Sequence, residues 1–336
     1  SPGQITCWLL DTRPLWQGEN IRSTPAARRA LGLVSPQERD VIDKKLFLAD
    51  AKMSLGSALL KRAFVSKTLG VPFAKVRLGR KNNQKHGKPI AVDAAGRPCA
   101  GIDFNVTHQA GLVALIGFAP AVPGMQQHGN IMVGADLVCV DENQAASRMI
   151  ATDGFEAYID MHDFVFSEQE RWSMKYDVDY VTLPDGTTLG GDKIGRHDRC
   201  TSATETICLE SSKGRHVAFP SRHILDSKLR RFYAYFCLRE SYVKLTGEGL
   251  LAPWLKKLEF SDVRSPRPAQ AGGWGEMVDD MGAKLYDVPV HDVKMKIQAL
   301  ERDLMLSTAI QGDIAGLEVP AFQMFDIDRD IPSLAR

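Results

Sequence analysis

The sequence predicts an α/β protein of the α+β type, built from two similar lobes. Each half of the 336 residues contains a long helical stretch followed by antiparallel strands. Apolar residues that recur every three or four positions indicate the helices, and short apolar runs indicate the strands. We place an N-terminal lobe at 1–130 and a C-terminal lobe at 131–336, with a polar, glycine-rich insertion at about 174–221.

The first lobe is predicted to contain one long helix that ends at Leu69. Ser35 is the predicted N-cap, Pro36 occupies the first helical position and Glu38 completes a capping box. Gly70 ends the helix, because glycine adopts the left-handed conformation found at helix C-termini. The predicted strands of this lobe lie at 5–10, 76–78, 101–105 and 112–118, the last two joined around 107–111.

The second lobe is predicted to begin with a buried strand at 132–140 that one carboxylate, Asp136, interrupts. A helical region at 147–173 precedes the insertion, which we expect to be a partly ordered flap. A strong helix at 226–245 follows, with further strands at 258–260, 284–286 and 304–310. Nothing after Gly312 matches a motif.

Composition argues against several classes of protein. The chain carries 42 basic and 41 acidic residues, whereas a dedicated nucleic-acid binder usually has a basic excess. Its longest apolar run, Leu112–Val122, is too short to span a bilayer, and Ser1–Ile5 contains no targeting signal. Six cysteines without C-x-x-C spacing favour reduced thiols. We therefore expect a cytoplasmic protein that binds neither membranes nor nucleic acid.

Two carboxylates occupy unusual places. Asp136 lies inside an apolar strand, where a charge is costly unless it is paired, hydrogen-bonded or bound to a metal. Glu240 lies on the apolar face of its helix, one turn before Lys244. From the residues alone, Asp136 binds a metal, caps a loop or pairs with an arginine. Glu240 either binds a metal or forms an ordinary i,i+4 pair with Lys244.

Two further residues have a functional and a structural interpretation. Glu170, in Phe-Ser-x-x-Glu, is either a catalytic base or a solvated helix glutamate beside Arg171. His108 either contacts a phosphate or makes a structural hydrogen bond at a turn.

Four segments, taken in order, resemble the Sfp-type 4′-phosphopantetheinyl transferases. They read His-Gly-Lys-Pro at 86–89, Phe-Asn-Val-Thr-His-Gln at 104–109, Gly-Ala-Asp at 134–136, and Leu-Arg-Glu-Ser-Tyr-Val-Lys at 238–244 followed by Gly-Glu-Gly-Leu. The match spans roughly residues 35–260. The resemblance implies two lobes related by a pseudo-twofold axis with the active site between them. It also implies magnesium-dependent transfer of phosphopantetheine from coenzyme A to a carrier-protein serine, releasing 3′,5′-ADP.

The resemblance also implies a role for each matched residue. Asp136 and Glu240 would bind Mg²⁺, Lys244 would meet phosphate or protonate the leaving group, and Glu170 would take the serine proton. The residues expected to contact coenzyme A or its phosphates are Arg80, Lys88, Pro89, Thr107, His108 and Gln109. Phosphoryl transfer of this kind depends mainly on positioning and charge neutralisation.

The sequence departs from the family pattern at three places. Val138 stands where many members have a second acidic ligand, and Arg239 replaces the usual lysine. Glu38 and Val41 occupy positions where some members carry basic phosphate ligands, with Arg39 and Lys44 as candidate substitutes. The ligands at the adenine end are therefore open.

The expected partners are acyl or peptidyl carrier domains, since similar stand-alone enzymes serve polyketide synthases, nonribosomal peptide synthetases and aminoadipate reductase in lysine synthesis. Lys228, Arg230 and Arg231 could form a basic patch for such an acidic partner, or a solvated helix face. We expect a monomer. The alternative is a catalytically weak protein that binds coenzyme A or carrier domains, which Val138 would favour.

Overall fold

The computed structural model describes most of the chain. The described ranges are 3–81, 87–121, 131–141, 144–200, 205–210, 216–249, 252–269, 273–313 and 317–331. His86 and Leu250, which belong to two of the matched segments, lie outside them. Every helix within these ranges is too short or too polar to cross a lipid bilayer.

The structure is of the mixed α and β class that the sequence predicts. Its helices are α1 (Pro25–Gly32), α2 (Pro36–Asp43), α3 (Leu48–Leu69), α4 (Gln144–Asp153), α5 (Phe155–Asp160), α6 (Glu168–Tyr176), α7 (Arg222–Thr246) and α8 (Ile327–Asp330). Its strands are β1 (Gln4–Asp11), β2 (Leu78–Arg80), β3 (Pro89–Ala91), β4 (Asp103–Gln109), β5 (Leu112–Ala119), β6 (Met132–Cys139), β7 (Tyr180–Thr182), β8 (Thr188–Gly190), β9 (Thr206–Glu210), β10 (His216–Pro220), β11 (Leu258–Ser261), β12 (Trp274–Val278), β13 (Gly282–Leu285), β14 (Val288–Pro289), β15 (Val293–Leu300), β16 (Leu304–Gln311) and β17 (Gln323–Met324).

The first main sheet has the strand order β17-β1-β5-β4, and α3 packs on it. The predicted capping box at Ser35 and Glu38 is confirmed, and so is the left-handed C-cap at Gly70. The prediction of one continuous helix is wrong, because residues 44–47 separate α2 from α3. The separation lets α2 fold back against α3.

The second main sheet has the strand order β12-β15-β16-β6, and α7 packs on it. The backbones approach closely at Gly134 of β6, where an added Cβ would lie 2.1 Å from the Ser241 carbonyl oxygen and 2.5 Å from the Leu245 nitrogen. Glycine therefore permits the helix backbone to approach the strand that carries Asp136. The single helical region predicted for 147–173 is instead divided among α4, α5 and α6.

The two main sheets share apolar clusters, so each sheet contributes to the other's core. One cluster joins Ile5 and Ile116 of the first sheet to Val133 and Ile310 of the second. The division at residue 130 and the pseudo-twofold axis stay predictions. The described C-terminal segment returns to the first sheet, where β17 pairs with β1 in parallel.

The insertion contains more regular structure than a flap. Its described residues include the antiparallel pairs β7–β8 and β9–β10. These strands and the start of α7 share a buried apolar cluster that includes Val181, Ile207, Phe219 and Ile224. The cluster attaches the insertion to α7, which explains why this segment folds despite its polar composition.

We expect Gly134→Ala to lower the free energy of unfolding by about 3 kcal/mol, because the added methyl group would overlap the backbone of α7. Urea unfolding followed by circular dichroism measures the change. Gly32→Ala is the control, since Gly32 lies in α1 with open space around its Cβ position, and it should be neutral or slightly stabilising. Equal stability of the two variants would contradict this account of the contact.

Candidate active site

Asp136 is the centre of the candidate site. It lies in the middle of β6, 5% exposed, and its Oδ1 is 2.5 Å from Lys244 Nζ. Thr107 Oγ1 donates to the same oxygen at 3.2 Å, and Lys244 Nζ also lies 3.1 Å from Thr107 Oγ1. Burial raises the pKa of Asp136, and the Lys244 cation opposes that rise. Three of the matched segments therefore meet at one carboxylate.

The position of Asp136 follows from an unusual connection between β4 and β6. Asp103, Asn105 and Thr107 alternate along β4, so their side chains share one face. Their oxygens accept hydrogen bonds from the backbone N–H groups of β6: Val133 to Asp103 at 2.7 Å, Ala135 to Asn105 at 3.0 Å, and Leu137 to Thr107 at 3.3 Å. We call this set the β4–β6 bridge. Sequence reasoning missed it, although the alternation of polar residues in Asp-Phe-Asn-Val-Thr was a visible signal.

Glu240 is the second carboxylate of the site. It is half-buried on α7, one turn before Lys244, and it has no hydrogen-bond or ion-pair partner among the described residues. Burial, followed by the charge of Asp136, raises the pKa of Glu240 to about 7. Two carboxylates are thus close enough to interact while Lys244 is paired with only one of them.

This donor set fits Mg²⁺. No cluster of three His, Cys, Asp or Glu side chains suited to a metal occurs in the part of the chain that the structure describes. Magnesium, however, commonly uses one or two carboxylates and completes its octahedron with waters and substrate phosphates. Asp136 and Glu240 would hold the ion, whose positive charge would pair with the Glu240 carboxylate, for which no hydrogen bond or ion pair occurs among the described residues.

Val138 and Gln109 lie beside this point and line a cleft of about 370 Å³. Val138 is buried at the position where the family pattern has a second acidic ligand. Aromatic side chains form most of the remaining wall, namely Tyr158, His162, Phe232, Tyr233 and Phe236.

His108 is exposed at the end of β4, near a group of cations. Partial removal from water lowers its pKa, and the charges of Lys244, Lys45 and Lys61 lower it further. A neutral imidazole beside several cations suits a position that receives an anion. Lys45 and Lys61 were not singled out by the sequence reasoning, because only folding brings the connection at 44–47, helix α3 and strand β4 together.

Arg80, Pro89 and Lys88 lie around one hairpin but differ in availability. Arg80 is opposite Pro89 in the β2–β3 pair, and its exposed guanidinium donates to the Gly87 carbonyl at 2.8 Å. Lys88 is buried in an ion pair with Asp103 and donates to the carbonyl oxygens of Val133 at 2.8 Å and Leu245 at 3.3 Å. The phosphate role of Lys88 stays a prediction, and in this structure its ammonium group connects Asp103 of β4 to β6 and α7.

Glu170 lies in a second buried ion pair. It completes the capping box of α6 with Ser167, and both of its oxygens are 2.7 Å from Arg239 Nη2. The structure places Glu170 where α6 packs against α7. There it is buried and paired with Arg239, whereas Glu240 is half-buried and has no ion-pair partner among the described residues.

The proposed basic patch on α7 is wrong. Lys228, Arg230 and Arg231 are all buried, because each reaches inward to a partner. Lys228 donates to the Arg199 carbonyl, Arg230 to the carbonyls of Pro266 and Arg302, and Arg231 pairs with Asp177 and Asp179. None of the three is available to a partner protein on this face.

Comparison with known proteins identifies the family of this chain. Residues 22–119 match a family described as 4′-phosphopantetheinyl transferase, N-terminal. The chain is 47% identical to the 4′-phosphopantetheinyl transferase of Aureobasidium melanogenum, over 98% of this chain and 97% of that one. It is 30% identical to the 4′-phosphopantetheinyl transferase A of Aspergillus fumigatus, over 98% of this chain and 94% of that one. A shorter match, with 35% identity over 39% of this chain and 46% of that one, is to the L-aminoadipate-semialdehyde dehydrogenase-phosphopantetheinyl transferase of Schizosaccharomyces pombe. Full-length similarity at this level shows that the chain belongs to the 4′-phosphopantetheinyl transferases.

Proposed function

We propose that this enzyme moves 4′-phosphopantetheine from coenzyme A to a serine hydroxyl of a carrier domain, with release of 3′,5′-ADP and of the serine proton, and with Mg²⁺ held by Asp136 and Glu240. The observation that carries the proposal is the meeting of Asp136, Thr107 and Lys244 beside the half-buried carboxylate of Glu240. This arrangement concentrates opposite charges at one partly buried point, as transfer of a charged phosphoryl group requires.

Each residue has a separate part in this proposal. Lys244 neutralises phosphate charge and holds Asp136 in place, while the Thr107 hydroxyl contacts both. His108 and Arg80 bind the phosphates of coenzyme A, with Arg80 suited to the 3′-phosphate because a guanidinium can contact two oxygens at once. A bound Mg²⁺ would neutralise charge on the pyrophosphate as the bond to the leaving group breaks.

The proposed acceptors are carrier domains of polyketide synthases, nonribosomal peptide synthetases and aminoadipate reductase. The name of the Schizosaccharomyces pombe relative, which matches only part of this chain, supports the last of these. We propose that the protein acts as a cytoplasmic monomer. The alternative of a weak binding protein is not favoured, because Asp136, Glu240 and Lys244 are present and meet at one site.

Incubation of an apo carrier domain with the enzyme, coenzyme A and Mg²⁺ should add the mass of one phosphopantetheine, measured by intact-mass spectrometry. A chelator should abolish the gain. Asp136→Asn and Glu240→Gln should each slow loading by about 100-fold, because each removes a charge from the metal site. Glu168→Gln is the control, since it neutralises an exposed carboxylate at the start of α6. Loading that persists at the wild-type rate in both site variants would refute the metal assignment.

Val138→Glu should lower the Mg²⁺ concentration needed for half-maximal loading, by about tenfold, because it adds a carboxylate two residues from Asp136 on the same face of β6. Val138→Gln is the matched control, with the same length and no charge. A titration of the initial rate with Mg²⁺ measures the effect. If both variants shift the midpoint equally, the added charge is not facing the metal.

A further inference from the structure

Arg239 and Glu170 form one of the most deeply buried ion pairs of the described residues. Each is 1% exposed. Arg239 Nη2 lies 2.7 Å from both Glu170 oxygens, and its Nη1 donates to the carbonyls of Leu255 at 2.7 Å and Leu258 at 2.9 Å. A lysine carries its three donors on one atom and could not reproduce this fork. The pair therefore joins α7 to α6 and to the segment that leads into β11.

The oxygens of Glu170 are fully engaged. Besides Arg239, Oε1 accepts from the Phe260 nitrogen at 2.9 Å and Oε2 accepts from the Ser167 nitrogen at 2.9 Å. A carboxylate that takes a proton from a carrier serine must reach that hydroxyl and give up part of its hydrogen bonding. Glu170 is closed off from solvent and would leave a buried guanidinium unpaired if it were protonated.

The first lobe contains an ion pair with the same arrangement, between α2 and α3. Glu38 completes the capping box of α2 with Ser35, as Glu170 does in α6 with Ser167. Glu38 pairs with the buried Arg62 of α3, whose Nη1 also donates to the Val76 carbonyl at 3.1 Å. In each lobe, a capping glutamate of a short helix thus holds an arginine of the long helix. The Asp136–Glu240 carboxylate pair belongs to the second lobe, so the Glu38–Arg62 pair of the first lobe does not serve it. The same arrangement thus occurs away from the candidate site, which indicates that its purpose is structural.

What is special to the second lobe is the residue next to the arginine. Arg239 precedes Glu240 directly, and consecutive helical residues point about 100° apart around the axis. Fixing Arg239 against α6 and β11 therefore fixes the rotation of α7 and the direction in which Glu240 projects. The half-buried Glu240 has no partner of its own among the described residues to hold it.

We propose that the Arg239–Glu170 pair is a positioning device that aims Glu240 at the metal, and that Glu170 does not take the serine proton. The proposal rests on the proposed function in one respect, namely that Glu240 binds the divalent ion. In this proposal Arg239 and Glu170 affect the reaction by positioning Glu240, and neither residue contacts a substrate.

The test separates metal affinity from turnover. Binding of Mn²⁺ is measured by electron paramagnetic resonance on the free enzyme, and loading of an apo carrier domain is measured at saturating Mg²⁺. Glu170→Gln removes the charge and keeps one acceptor oxygen, which can accept from the Phe260 nitrogen or the Ser167 nitrogen but not from both. We expect its Mn²⁺ dissociation constant to rise about tenfold, with turnover at saturating metal within about fivefold of wild type. Glu38→Gln is the matched control and should lower the unfolding temperature without changing Mn²⁺ affinity.

Two results would overturn the proposal. Turnover that falls by about 100-fold or more at unchanged Mn²⁺ affinity would show that Glu170 takes part in proton transfer. Unchanged affinity and unchanged turnover in a destabilised variant would show a merely structural pair.

Should Glu170→Gln not fold, Arg239→Lys preserves the opposite charges, loses the fork to Leu255 and Leu258, and is expected to show the same loss of Mn²⁺ affinity. Since Mn²⁺ binding needs no carrier, a wild-type enzyme that binds Mn²⁺ but loads no carrier would refute the proposed function and leave the positioning test intact.

Discussion

The β4–β6 bridge is the interaction on which the rest of the structure depends. Strand β6 pairs with β16 along one edge, and its other edge would present unpaired N–H groups inside the protein. A buried donor without an acceptor costs about 1–3 kcal/mol, so three unpaired donors would be expensive. Asp103, Asn105 and Thr107 satisfy them and connect the two main sheets in one register. That register sets Asp136 opposite Thr107 and beside Lys244.

Several buried charges of this protein lie at contacts between elements. Lys88, Arg62 and Arg239 are all buried, and each pairs with a carboxylate while donating to backbone carbonyls of a second element. Such pairs are weak sources of stability because desolvation offsets attraction, but they allow few alternative arrangements. The enzyme thus uses buried cations to fix geometry around its site. The cations near His108 remain exposed or half-exposed, where they are accessible to an anion.

The sequence predicted the fold class, the main helices and most of the long strands, because periodicity and caps are local signals. Ser35 and Gly70 acted as expected for this reason. Asp136 and Glu240 stand out in the sequence because they break apolar patterns, but their predicted metal role comes from the family resemblance. Burial of Lys228, Arg230 and Arg231 could not be predicted, since their partners come from a distant part of the fold or from the insertion. The partner of Glu170 was also invisible, because a capping box signals a helix start and carries no information on what packs above it.

Strand β17 has a consequence for how the protein is made. Trp8 of β1 lies opposite Gln323, and the Trp8 ring packs against Phe325 at 4.9 Å between centroids. Ribosomes add about 5–20 residues per second, so a nascent chain would wait many seconds between the synthesis of β1 and that of β17. During that time the outer edge of β1 has no strand beside it and is open to pairing with other chains. Chains cut short before residue 323 would keep this edge exposed, which makes them candidates for aggregation and for recognition by chaperones.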